Sequence, residues 1–173
     1  YNNKALLNYK EKKFIEHIIE AGKNYKEIII ISNNKEEYKG FNLRVVEDIY
    51  KGNGPLSGIH SALVNSTTDE VLCIACDMPL ITEKTLNILG DYSGDYEVLI
   101  PRVSERLQPL CSIYSKKIIR NLEEAIKENN NKLQLLIKSL NYKIIEGNEE
   151  AKFIEDDFLN INTEKEYSEL EER

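Results

Sequence analysis

The sequence predicts a three-layer α/β/α sandwich around a mostly parallel sheet. Three observations carry that expectation. Short β-branched runs alternate with amphipathic stretches along the chain. The run Val71–Cys76 is wholly apolar, as a strand buried on both faces would be. A glycine loop, Gly52 to Gly58, leads into an apolar stretch from Ile59 to Val64, and glycine-rich turns of this kind open helices beside a sheet.

Taken in order, Phe14, Ile15, Ile18 and Ile19 fall at helical spacing within Glu11 to Ala21, and Gly22 closes the helix. Ile28 to Ile31 is β-branched and reads as a buried strand. Leu43 to Val46 is a second strand, running out at Glu47-Asp48. The glycine loop and its helix follow, and then the strand that ends at Asp77. Thr82 caps a helix over Glu83 to Leu89, with Gly90 at its end. Glu97 to Ile100 is a strand stopped by Pro101, and Leu110 to Tyr114 is another. Lys116 to Glu128 and Lys132 to Leu140 are amphipathic helices parted by three asparagines. Tyr142 to Ile145 is a late strand, and Thr163 to Glu172 a capped, glutamate-rich helix. No repeat or linker divides the chain, so residues 1–173 are expected to form one domain.

Composition narrows the function classes. The chain has 173 residues, of which 41% are hydrophobic, enough for a core. No apolar run approaches the roughly 20 residues of a membrane span. The net charge of −7 lacks the basic footprint that nonspecific nucleic-acid binding needs. A cytoplasmic protein with neither nucleic acid nor membrane as partner is expected. Cys73, Cys76 and Cys111 lie in apolar runs and read as buried reduced thiols rather than a zinc or redox set. His17 and His60 fall on helices without a carboxylate that the sequence can place beside them. Arg102, Arg106 and Gln108 share one loop, where arginine suits a phosphorylated substrate and a solvated loop explains either arginine equally well.

Asp77 is the most informative residue. In open α/β sheets ligands bind outside the carboxyl ends of strands. A lone aspartate there suits Mg²⁺, which takes few carboxylates and completes its shell with phosphate oxygens and water. Asn34 and Asp48 also follow strands and fall on the same edge. Gly54 and Pro55 allow a backbone to approach a ligand closely.

Five segments, in order, resemble one family: Asn3-Lys4-Ala5-Leu6-Leu7, Ile31-Ser32-Asn33-Asn34, Gly54-Pro55-Leu56-Ser57-Gly58, Cys76-Asp77-Met78-Pro79 and Phe158-Leu159-Asn160-Ile161-Asn162-Thr163. Together they resemble the molybdenum cofactor guanylyltransferases, within the nucleotidyltransferases of Rossmann-like fold. The resemblance implies GMP transfer from GTP to the phosphate of molybdenum-bound molybdopterin, with Mg²⁺ on Asp77 and catalytic roles for Lys4 and Asp77. It implies GTP contacts from Lys4, Asn34, Asp48, Gly54, Pro55 and Asp77, and a molybdopterin side formed by Gly58, Asn160 and Asn162. It further implies passing contact with cofactor-insertion proteins or molybdoenzymes. Cytidylyl- or sugar-nucleotidyltransfer on the same scaffold is the alternative, as is a noncatalytic nucleotide- or cofactor-binding module. The family opens with an apolar strand and a glycine-rich turn ahead of its lysine. That strand and turn are missing before Lys4 here, and a polypeptide without them is expected to bind GTP poorly.

Overall fold

In the computed structural model, residues 3–147 and 153–173 are described. Asn3 caps a 3₁₀ turn over Lys4–Leu6, its side chain accepting from the Ala5 N–H at 3.2 Å. A two-residue hairpin of β1 (Asn8–Tyr9) and β2 (Lys12–Lys13) follows, turned by Lys10 at φ 50°. The helix expected from Glu11 therefore begins later, as α1 (Phe14–Ala21), where Glu16 accepts the Lys13 N–H at 2.6 Å.

β3 (Ile29–Ile31) pairs in parallel with β4 (Arg44–Val46), Ile30 opposite Val45. Helix α2 (Pro55–Asn65) starts earlier than the sequence suggests. Pro55 needs no N–H partner in the first turn of a helix, so Gly58 belongs to the helix rather than to the loop before it. Gly54, at φ 57° and ψ −138°, makes the turn into it. β5 (Glu70–Ile74) precedes α3 (Glu83–Gly90), which Thr82 caps as expected. Next come β6 (Val98–Val103), β7 (Arg106–Leu107), β8 (Cys111–Ser115), α4 (Ile119–Lys127), α5 (Leu133–Lys138), β9 (Tyr142–Glu146) and α6 (Glu164–Glu171).

The layering is the expected α/β one, while the strand directions are mixed. The five-stranded sheet runs β5–β8–β6–β9, with β7 pairing the end of β6. β8 sits antiparallel between β5 and β6, so the run expected to be a parallel strand has an antiparallel neighbour. β6 and β9 are parallel. Pro101 does not stop its strand. It lies within β6, and its carbonyl accepts the Gln108 N–H at 2.9 Å. Residues of β6 alternate between two apolar clusters, as a period of two requires. Val98 and Ile100 face Leu56, Ile59 and Leu63 of α2, while Leu99 faces Met78, Leu86 and Leu89 on the α3 side.

The β3–β4 pair and the larger sheet are separate ladders. Between them lies an apolar slot of about 640 Å³, walled by Ile29–Ile31 on one side and Leu72–Ile74 on the other. The cysteines depart from expectation in part: all three are free, but only Cys111 is buried, and Cys76 is exposed beside Asp77.

Gly54→Ala is expected to lower stability by about 1–3 kcal/mol, because its φ and ψ suit glycine alone although space around it is open. Gly40→Ala, where the backbone is unstrained and the space equally open, should move the urea midpoint little. Equal midpoints for both variants would remove strain as the reason for glycine at position 54.

Candidate active site

The carboxyl ends of β3, β4 and β5 converge on one mouth of the slot, where Asp48, Gly54, Pro55, Gly58 and Asp77 are lining residues. The parallel ladder extends one bond past β3, from the Ser32 N–H to the Val46 carbonyl at 2.8 Å. Beyond it a reciprocal pair forms. Asn33 Nδ2 donates to Asp48 Oδ2 at 2.8 Å, and the Asp48 N–H donates to Asn33 Oδ1 at 3.1 Å. The sequence singled out Asn34, yet Asn33 makes this contact. Asn34 stands on the exposed turn, its N–H donating to Ser32 Oγ at 3.2 Å. Among the described residues, Asp48 Oδ1 is left buried and unpartnered.

Asp77 follows β5, and its main chain is fixed from the far end of the protein. The Ile161 N–H donates to the Asp77 carbonyl at 2.9 Å. The Asp77 side chain is 17% exposed; Oδ2 lies 3.7 Å from Lys4 Nζ, and Oδ1 is buried without a partner among the described residues. Loss of water raises the Asp77 pKa above the usual aspartate value, and the Lys4 ammonium only partly opposes that rise. Lys4 Nζ also donates to Asn162 Oδ1 at 2.8 Å, so the 3₁₀ turn at one end of the chain meets the segment before α6 at the other. Glu166 accepts the N–H groups of Asn162 at 2.7 Å and Thr163 at 2.8 Å, and these bonds hold its carboxyl below the usual glutamate range. Asn160 Oδ1 is likewise buried and without a partner among the described residues.

Three of the residues singled out from sequence, Asp48, Asp77 and Asn160, thus each keep a buried acceptor without a partner among the described residues. Buried polar atoms are rarely left unpaired, since each costs about 1–3 kcal/mol. Among the described residues no group of three His, Cys, Asp or Glu side chains could hold a metal ion. A cation here would rest on the Asp77 carboxylate and on oxygens brought by a ligand, which is the donor set Mg²⁺ accepts.

Other polar residues are occupied elsewhere. Arg102 pairs with Glu146 at 2.8 Å. His17 meets the Tyr9 carbonyl at 2.9 Å. His60 is buried and does have a carboxylate beside it, Glu123 at 3.3 Å, on the α4 side of α2. That pairing joins residues 63 apart in sequence, beyond the reach of spacing rules. Among the described residues no helix is long and apolar enough to cross a membrane.

Residues 2–144 match the family described as "MobA-like NTP transferase domain". A protein of Clostridium perfringens (strain 13 / Type A) named "Probable molybdenum cofactor guanylyltransferase" is 50% identical over 98% of this chain and 88% of its own length. A protein of Bacillus mycoides (strain KBAB4) bearing the same name is 33% identical over 95% of this chain and 85% of its own. Among solved structures, molybdopterin-guanine dinucleotide biosynthesis protein A from Archaeoglobus fulgidus superposes with a TM-score of 0.82 at 25% identity, over 98% of this chain and 89% of that one. The 2-C-methyl-D-erythritol 4-phosphate cytidylyltransferase from Thermus thermophilus shares the fold at TM-score 0.67 and 14% identity, over 98% of this chain and 92% of its own.

Asp77→Asn is expected to raise the melting temperature of the ligand-free protein at pH 7. A raised carboxyl pKa means that the native state binds the proton more readily than the unfolded chain. The ionised form therefore weakens the fold above that pKa, and the penalty fades as pH falls through it. The difference between variant and parent should shrink on acidification, and a difference that grows would reverse the sign assigned to Asp77.

Proposed function

The chain belongs to the MobA-like NTP transferase family, and from that premise we propose that it transfers GMP from GTP to the phosphate of molybdenum-bound molybdopterin. The products are the guanine dinucleotide cofactor and pyrophosphate. The names of its relatives support the guanylyl specificity. The observation that carries the chemistry is the Lys4 ammonium set 3.7 Å from a partly buried Asp77 carboxylate whose second oxygen has no partner among the described residues.

An oxygen of the cofactor phosphate attacks the α-phosphorus of GTP in line, forming one P–O bond as the bond to the β-phosphate breaks. Transfer of this kind rests on positioning and charge neutralisation and needs no protein nucleophile. Lys4 supplies a mobile point charge for the oxygens of the departing pyrophosphate. Asp77 is the residue that would hold Mg²⁺, which supplies charge neutralisation across the phosphates when bound. Asp48 offers Oδ1 to a ribose hydroxyl or a guanine N–H, its other oxygen being engaged by Asn33. Gly54 and Pro55 present backbone, without bulk, at the same mouth.

Thermal unfolding with GTP, CTP and UTP, each with and without Mg²⁺, tests this reading. A ligand that binds only the native state at about 100 times its Kd adds about 2.7 kcal/mol. For a chain of this size that corresponds to a shift of roughly 5–10 °C. The shift should be largest with GTP plus Mg²⁺ and should vanish in Asp77→Asn. An equal or larger shift with CTP would make the protein a cytidylyltransferase instead.

A further inference from the structure

Asn160 and Asn162 lie in one short segment, and resemblance alone gives them the same duty toward the second substrate. The structure separates them. Asn160 Oδ1 is buried and has no partner among the described residues. Asn162 Oδ1 is already taken by the Lys4 ammonium at 2.8 Å. We propose that Asn162 is a positioning residue for Lys4, holding the ammonium at Asp77, rather than a contact for the second substrate. The proposal rests on the GMP-transfer reading above, which makes Lys4 the group that meets the phosphates.

The geometry supports this in three ways. First, an ammonium has three donors and no preferred plane. A lysine on a 3₁₀ turn with a flexible four-carbon stem needs an outside acceptor to fix its tip. Asn162 is that acceptor, while the Asp77 carboxylate at 3.7 Å lies beyond normal hydrogen-bond reach and attracts without orienting. With one donor on Asn162, the other two face no hydrogen-bond acceptor among the described residues and can meet phosphate oxygens. Second, the acceptor is itself fixed. Glu166, in the first turn of α6, accepts the N–H groups of both Asn162 and Thr163, and Thr163 Oγ1 accepts the Glu166 N–H at 3.2 Å. Third, the same segment is tied to the other partner of the pair, because the Ile161 N–H holds the Asp77 carbonyl. Consecutive residues of one segment thus set the carboxylate through its backbone and the ammonium through its tip.

A steady-state experiment on the full chain separates the two roles. Asn162→Ala should lower kcat about 10-fold while leaving the KM for the molybdopterin substrate within about 2-fold, since a misplaced catalytic group acts on the transition state. In a Lys4→Ala background the same substitution should cost nothing further, because the residue it positions is gone. Asn162→Asp keeps an oxygen at the same reach and should recover much of the lost kcat. A raised KM for the molybdopterin substrate at unchanged kcat, or losses that multiply in the double variant, would return Asn162 to that substrate. A second readout needs no turnover: labelling of amines by acetic anhydride, followed by peptide mass spectrometry. Lys4 should label several-fold faster in Asn162→Ala and at the parent rate in Asn160→Ala. Equal Lys4 labelling in all three proteins would overturn the proposal. Absence of GMP transfer by the unsubstituted protein would count against the functional reading alone, leaving the labelling to decide the position of Lys4.

Discussion

Moving a carboxylate out of water costs free energy, and at Asp77 the fold offsets only part of that cost. The ammonium of Lys4 is close enough to attract, but Oδ1 receives no hydrogen bond from the described residues and the raised pKa records that desolvation dominates. A site of this kind is unstable by itself and becomes favourable when a cation or a donor arrives. The rest of the mouth is arranged around that imbalance. β5 delivers the residue to the sheet edge, Ile161 fixes its backbone from the other end of the chain, and Asn162 holds the opposing charge.

That arrangement demands rigid support on both sides of the sheet. The two apolar clusters meet at β6, whose alternate side chains enter one or the other. α2 packs Leu56, Ile59 and Leu63 into its cluster, and this anchors the helix whose first turn forms the wall at Gly54 and Pro55. On the other side Asp157, itself buried, accepts from the Thr82 N–H at 3.2 Å and from the Thr82 hydroxyl, tying the segment that leads to Asn160 onto the cap of α3. The placement of Asn160 and Asn162 therefore follows from a buried polar contact as well as from apolar packing.

The alternation of helices and strands was legible because it is written locally, in β-branched runs, caps and closing glycines. Asp48 and Asp77 stand out in the sequence alone because each follows a strand, although β5 closes at Ile74, before the apolar run does. What was not legible is non-local. The antiparallel insertion of β8 between β5 and β6 depends on how the sheet is assembled, and a wholly apolar strand looks the same with neighbours of either direction. The rule that ends a strand at proline concerns the missing N–H, whereas the Pro101 carbonyl still has a partner. Asn33 and Asn34 are adjacent and of one type, so only the turn geometry shows which of them faces Asp48. The bond from Lys4 to Asn162 spans 158 positions and has no local signature.

The free acceptors also say something about what fills the mouth. Asp48 and Asn160 each retain an oxygen that calls for an N–H or O–H donor, whereas the ionised oxygen of Asp77 calls for a cation. Asp48 follows β4, and Asn160 adjoins Asp77 through Ile161. Satisfying all three takes hydrogen-bond donors at Asp48 and Asn160 and a cation or a donor at Asp77. A nucleoside triphosphate alone donates from its ribose and base at one end only. In the proposed reaction that end belongs to Asp48, so the donor that Asn160 calls for comes from the second substrate.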